Sequence, residues 1–188
     1  MTQLGFYVNQ SRCIGCFTCS VACKDWHDIT ATSVNWMRIT QIEEGKFPDL
    51  TLFYLPIACN HCKNPPCLLA CPTKAIIKRE LDGIVIVDSE KCLGYEECGA
   101  KCLKVCPWDV PQFEKHKKAK MQKCDLCVDR IDEGKNPICV EACPMYALDV
   151  APLEELQQKY GFSKEAIGFE FKDKYQPSII FNNKTKEK

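Results

Sequence analysis

The sequence predicts an α+β fold of two pseudo-symmetric halves, the second inserted in the first, with loop-rich connections and a C-terminal extension. Three observations predict it. The 188-residue chain carries 16 cysteines that fall into four groups of four, each ending in Cys-x3-Cys. Between the second and third groups, two short apolar runs flank an Asp82-Gly83 turn, which is a hairpin pattern. The first and fourth groups each have a strand candidate beside them, Phe6-Tyr7-Val8 before Cys13 and Ala147-Leu148-Asp149-Val150 after Cys143-Pro144.

The elements follow in chain order. Phe6 to Val8 opens the first half as a strand. Residues 29–49 form a mixed segment containing Trp36-Met37-Arg38-Ile39, expected as a strand with a turn at Glu44-Gly45. Ala75-Ile76-Ile77, the turn and Ile84-Val85-Ile86-Val87 make the hairpin of the inserted half. After the strand at 147–150, Pro152 to Lys159 has helical spacing and stops at Gly161. Pro177 to Phe181 is a short apolar strand or docking arm, and Asn182 to Lys188 a polar tail expected to fray.

Composition narrows the class. Hydrophobic residues at 46% and charged residues at 27% are ordinary for a globular chain and argue against disorder. Lys+Arg and Asp+Glu are both 25, so the polypeptide is formally neutral, which disfavours a nucleic-acid binder. The longest charge-free apolar stretch, Leu50 to Cys62, is too short to span a membrane and contains Pro56. The segment MTQLGFYVNQSRC has neither a basic nor an apolar leader region, so no signal peptide is expected.

The cysteines carry the chemistry. Their groups are Cys13-x2-Cys16-x2-Cys19-x3-Cys23, Cys59-x2-Cys62-x4-Cys67-x3-Cys71, Cys92-x5-Cys98-x3-Cys102-x3-Cys106 and Cys124-x2-Cys127-x11-Cys139-x3-Cys143. Pro follows Cys71, Cys106 and Cys143. A disulfide scaffold is the default for short secreted chains, and zinc sites use paired CxxC units. Neither requires one ending repeated four times. Iron–sulfur cubanes do, because three close thiolates wrap one cluster while the fourth reaches another. Sixteen thiolates divide into four [4Fe–4S] clusters with none left over.

Two groupings are open. The unit from group two to group three resembles the bacterial dicluster ferredoxin core, whose halves exchange their fourth cysteines. Nesting then assigns Cys13, Cys16 and Cys19 with Cys143, and Cys124, Cys127 and Cys139 with Cys23. It also assigns Cys59, Cys62 and Cys67 with Cys106, and Cys92, Cys98 and Cys102 with Cys71. Sequential pairing, one with two and three with four, is the alternative.

Longer motifs give a family resemblance. Gly5-Phe6-Tyr7-Val8-Asn9, Arg12-Cys13-Ile14-Gly15-Cys16 and Ala22-Cys23-Lys24-Asp25 open the chain. Cys59-Asn60-His61-Cys62, Pro65-Pro66-Cys67 and Lys123-Cys124-Asp125-Leu126-Cys127 with Arg130 follow. Over residues 4 to about 150 the chain resembles the four-cluster electron-transfer subunit of the dimethyl sulfoxide reductase family of molybdenum and tungsten oxidoreductases. Polysulfide, thiosulfate and formate enzymes use similar subunits. The resemblance implies two ferredoxin-like domains: residues 1–55 with 108–150, and an inserted 56–107, followed by a helix and arm at 151–188. It implies electron relay between a molybdopterin (Mo or W) catalytic subunit and a second partner, a membrane anchor or another electron-transfer subunit, with no catalytic residue in this chain.

Two departures stand out. The third group is lengthened at Leu93 to Glu97 and Gly99 to Lys101 where the family is compact, and the chain ends soon after group four. Other residues have competing roles. His27, His61 and His116 read as structural or exposed, although His61 lies inside a cysteine loop and can tune its cluster. Trp26 and Trp108 either shield a cluster or pack in a core or interface. Lys115 to Lys120 reads first as a solvated loop, then as a dock for an acidic partner or a charge near a cluster.

Two further functional classes remain at this level: a stand-alone polyferredoxin carrier, and the electron-transfer subunit of a tungsten aldehyde oxidoreductase or hydrogenase assembly. A carrier is expected to be acidic, and four oxidised clusters at about −2 each bring the neutral polypeptide to about −8. A cytoplasmic home is expected, with co-export on a catalytic partner the alternative.

Overall fold

The computed structural model describes residues 2–30 and 33–182. Of the fray expected over 182–188, Asn182 instead closes the last strand, paired with Asn9, and 183–188 lie outside the described residues. In chain order the elements are β1 (Leu4–Asn9), α1 (Thr18–Trp26), β2 (Arg38–Lys46), β3 (Asp49–Ile57), α2 (Pro66–Ala70), β4 (Ile76–Lys78) and β5 (Val85–Val87). They continue with α3 (Tyr95–Cys98), α4 (Lys101–Lys104), α5 (Val128–Asp132), α6 (Ile138–Glu141), β6 (Leu148–Pro152), α7 (Leu153–Tyr160) and β7 (Ile179–Asn182). This is an α+β arrangement of short elements joined by long cysteine-bearing loops.

β1 is the centre of a three-stranded sheet in the order β6-β1-β7. Its partner β6 runs antiparallel, from Leu4 opposite Pro152 to Val8 opposite Leu148, and β7 runs parallel, with Phe6 opposite Ile179. A strand flanked on both sides and covered on both faces has no polar side to present, so Gly5 to Val8 is apolar without alternation. The helix α7 covers one face: Leu156 and Ile180 are fully buried, and the Tyr7 and Tyr160 rings stack with centroids 3.7 Å apart. Glu154 and Glu155 occupy its first turn, where the helix dipole favours negative charge, and Gly161 follows its last residue.

The hairpin β4–β5 pairs Ile76 with Val87 and Lys78 with Val85. The segment at 29–49 corrects the expectation. No turn forms at Glu44-Gly45; β2 runs on to Lys46, turns at Phe47-Pro48, and pairs with β3 from Arg38 opposite Ile57 to Lys46 opposite Asp49. The physical reason lies in the downstream stretch, where Phe53, Leu55 and Ile57 alternate into the core and give β2 a partner with the right period. Gly45 takes φ 93 inside the ladder rather than ending it.

The apolar interior is divided. One cluster of buried side chains joins β1, β6 and β7 to Met37, Leu55 and Ile57, and contains Cys19, Cys23, Cys124, Cys139 and Cys143. A second surrounds β4 and β5 with Cys67, Cys92 and Cys102. Among the described residues, ten of the buried apolar side chains are cysteines, so thiols are a large part of what the fold has to pack. No helix among the described residues is long and apolar enough to cross a membrane.

Candidate metal centres

None of the sixteen cysteines forms a disulfide. Cys13, Cys16, Cys19 and Cys143 line one small cavity. Cys59, Cys62, Cys67 and Cys106 line a second, and Cys71, Cys92, Cys98 and Cys102 a third of similar size. Each cavity takes three cysteines from one sequence group and the fourth from another. Cys124, Cys127 and Cys23 lie within electrostatic reach of Cys139: burial and then their charges raise the Cys139 thiol well above its ordinary value.

Cys19 perturbs Cys139, Cys59 perturbs Cys124, and Cys102 perturbs Cys67, so neighbouring sets are within electrostatic reach. As bare thiols they resist ionisation. Burial pushes Cys19 up to about 12, with the charges of Cys13, Cys143 and Cys16 adding to it, and pushes Cys23 to about 12 and Cys127 to about 11. Thiolates crowded in apolar cavities need cations at their centre, which bound iron supplies. The three cavities are almost equal in volume and each presents four sulfurs, so they suit one kind of guest. The wall of the second also holds Asn60, buried, with an amide Nδ2 that has no hydrogen-bond partner among the described residues. The residues present therefore fit [4Fe–4S] clusters.

The local backbone explains how four sulfurs converge. The residue two places after the first cysteine of every group has positive φ: Gly15 at 68°, His61 at 39°, Gly94 at 96° and Leu126 at 64°. That conformation curls the loop and aims N–H groups inward, and Leu126 N–H donates to Cys124 Sγ at 3.4 Å. At Gly15 a side chain has no room as well, since a Cβ would lie 2.3 Å from the Tyr54 ring. Glycine marks two of these positions in the sequence; at His61 and Leu126 no sequence signal announces the strained conformation.

The lengthened third group folds as two helical turns, α3 and α4, separated by Gly99 and Ala100 at φ 65 and φ 48. The insertion is thereby absorbed and both Cys98 and Cys102 face one cavity. Of the basic run, Lys115 to Lys118 is exposed, Ala119 is buried, and Lys120 Nζ donates to the Cys92 carbonyl. Lys123 is buried, donates to the carbonyls of Val85 and Cys124, and its charge offsets part of the rise that burial and Cys59 impose on the Cys67 thiol.

The histidines differ. His116 is exposed beside Glu114. His61 accepts the Val85 N–H on Nδ1 at 2.9 Å; burial, then Lys123 and Lys78, hold it well below its ordinary pKa, so it is neutral with its proton on Nε2. The third, His27, reaches Cys127 Sγ at 3.3 Å. Trp108 lines the second cavity and stacks on Phe169, whereas Trp26 is on the surface, donating to Asp129 at 2.9 Å under the Arg130 guanidinium.

Comparison with known proteins agrees with this chemistry. Two models of 4Fe–4S dicluster domains match residues 50–152 and 12–76. The protein is 44% identical to a chain of the anaerobic dimethyl sulfoxide reductase of Escherichia coli (strain K12), over 85% of its own length and 78% of the relative's. It is 41% identical to the chain of the same name from Haemophilus influenzae, over 96% and 89%. It is 34% identical to a sulfite dehydrogenase subunit of Allochromatium vinosum, over 78% and 68%. With sixteen thiols gathered in fours and these relatives spanning most of its length, this protein belongs to the four-cluster iron–sulfur subunits of the dimethyl sulfoxide reductase family.

Proposed function

We propose that this chain is the electron-transfer subunit of a molybdopterin oxidoreductase. Its sixteen cysteines would hold four [4Fe–4S] clusters in the nested sets: Cys13, Cys16, Cys19, Cys143; Cys23, Cys124, Cys127, Cys139; Cys59, Cys62, Cys67, Cys106; and Cys71, Cys92, Cys98, Cys102. The single observation that carries this reading is the row of four-cysteine sites, each within electrostatic reach of the next. When bound, the clusters supply one-electron exchange.

The chain's own residues do the rest. Apolar side chains such as Leu148, Val85 and Met121 exclude water from the sites. Backbone N–H groups of Leu126, Ala75 and Ala147 donate to ligand sulfurs, and Lys123 places a positive charge between two sites; both favour the reduced state. The same pairing supports two ferredoxin-like domains, with β1–β6 serving one and β4–β5 the other. Because β3 runs unbroken to Ile57, we set the first boundary there rather than at residue 55. The C-terminal helix and arm join the outer domain through β7.

Cys16, the exposed member of the sixteen, marks the end that meets the catalytic subunit. Around it Ile14, Phe17, Met145 and Tyr146 are also exposed, an apolar rim suited to a permanent partner rather than to brief encounters. At the other end, Lys101 and Lys120 stand beside the Cys92 set, where a membrane anchor or another redox subunit would dock. We place the assembled chain in the cytoplasm, where thiols stay reduced until iron is inserted.

Native anaerobic purification tests the reading. A complex with a molybdopterin protein and about sixteen irons per chain is expected, at four per cluster. A lone monomer would overturn the subunit reading in favour of a polyferredoxin carrier, and a tungsten aldehyde oxidoreductase or hydrogenase partner would reassign the family of the complex.

A further inference from the structure

His27 sits four residues beyond Cys23, at the C-terminal end of α1, and its own N–H donates to the Cys23 carbonyl at 3.3 Å. Its ring leaves that cysteine and crosses to the fourth group. Nε2 lies 3.3 Å from Cys127 Sγ and 3.8 Å from Asp125 Oδ1. The ring is held: its side chain is 12% exposed and it packs on Trp36 with centroids 4.6 Å apart. Asp125 Oδ1 is engaged by the Cys127 N–H at 2.9 Å, so the sulfur is the nearer acceptor for the imidazole.

These three side chains lie close enough together to suggest a cation site. A cation there would need the Cys127 thiolate, which the cluster reading already uses. An iron-bound thiolate has no proton to donate, so Nε2–H is the donor. Reduction of a cluster adds negative charge that spreads onto its ligand sulfurs. A donor aimed at one of those sulfurs stabilises the reduced form more than the oxidised form and raises the potential.

We propose that His27 is a positioning residue for the cluster of Cys23, Cys124, Cys127 and Cys139, holding its potential up through an Nε2–H hydrogen bond to Cys127 Sγ. The inference rests on the ligand sets proposed above. It adds a further link between the two sequence segments of the outer domain, since Cys23 and His27 both come from the first and both reach the fourth group.

The test is an EPR-monitored redox titration of the natively purified holo-complex. Replacing His27→Phe keeps a ring against Trp36 and removes the donor, and His27→Gln keeps an N–H of similar reach. For His27→Phe one cluster is expected to move to a more negative potential by roughly a tenfold change in its one-electron equilibrium, about 59 mV, while the other three stay put. His27→Gln is expected to restore most of that shift. Four unchanged potentials in His27→Phe would overturn the proposal, as would an equal shift in both variants. Cys23→Ser and Cys127→Ser separate this failure from failure of the ligand sets. If these two variants alter different signals, the sets are wrong; if they alter the same signal and His27→Phe leaves it in place, only the role of His27 falls.

Discussion

The backbone N–H of Ala147 donates to Cys143 Sγ at 3.3 Å, four residues back, and Ala75 repeats the bond to Cys71 at the same distance. Val110 donates to Cys106 in the same way. In all three, Cys-Pro is followed by a residue with positive φ at the third place: Lys74 at 54°, Asp109 at 50° and Tyr146 at 49°. Proline fixes the departure of the chain and the left-handed residue turns it back, so that the next N–H points at the sulfur; at Cys71 the Thr73 hydroxyl also lies 3.8 Å from Sγ. The recurring Cys-Pro is thus a turn that delivers a hydrogen-bond donor.

That turn is testable at Lys74, an exposed side chain with no packing to lose. Lys74→Gly should relieve about 1 kcal/mol of strain and slow anaerobic iron release several-fold, whereas Lys74→Ile, branched at Cβ, should accelerate it. Release of iron to a chelator gives the rate. Equal rates in the two variants would show that the turn is not a strained point in the folded chain.

The ligand sets make a sharper prediction. Cys16→Ser and Cys143→Ser remove ligands from one set under nesting and from two sets under sequential pairing. If each single variant loses its cluster, the double variant should keep about twelve irons under nesting but only about eight under sequential pairing, at four irons per cluster. Iron analysis of purified protein decides between them.

Gly15 has two reasons to be glycine, φ 68 and the Tyr54 ring 2.3 Å from a would-be Cβ. Gly15→Ala should therefore cost roughly 2–4 kcal/mol, from left-handed strain plus overpacking. Gly15→Ala combined with Tyr54→Ala should recover the overpacking share and leave the strain. The loss is irreversible once iron departs, so the comparison is made as half-lives at one temperature. Strict additivity of the two substitutions would refute the contact.

How much of this is legible in the sequence follows the physics of each feature. Cysteine spacing is a local property of thiolates around iron, and it carries the cofactor and the family. The Asp82-Gly83 hairpin and the helix stop at Gly161 are visible because the turn residues that favour those conformations are themselves in the sequence. The strand β3 is hidden because Leu50 to Cys62 looks like an unbroken apolar stretch, while the period of the strand shows only in the alternation of Phe53, Leu55 and Ile57 with the less buried Leu52 and Tyr54. His61 and Leu126 hold positive φ without being glycine, since hydrogen bonds and surrounding packing over-determine them. The approach of His27 to Cys127 depends on two segments a hundred residues apart. Nothing local announces it.

The cysteines also set how the chain folds. Among the described residues, Cys124 and Cys139 are buried in the larger apolar cluster and Cys67, Cys92 and Cys102 in the smaller, with burial holding Cys67 and Cys102 up at about 12 as bare thiols. Without iron, the interior is left with pockets lined by polarisable thiols, around which the short helices pack. The free energy of cluster binding is then a large part of the free energy of folding, as it is for structural zinc. The sheet β6-β1-β7 under α7 is the exception, because Tyr7, Leu156 and Ile180 form a separate buried cluster with no cysteine in it. Iron removal under reducing, anaerobic conditions should therefore abolish amide-exchange protection in β4, β5, α2 and α4 while leaving residual protection in β1 and α7. Uniform retention of protection after complete iron removal would show that the polypeptide folds on its own.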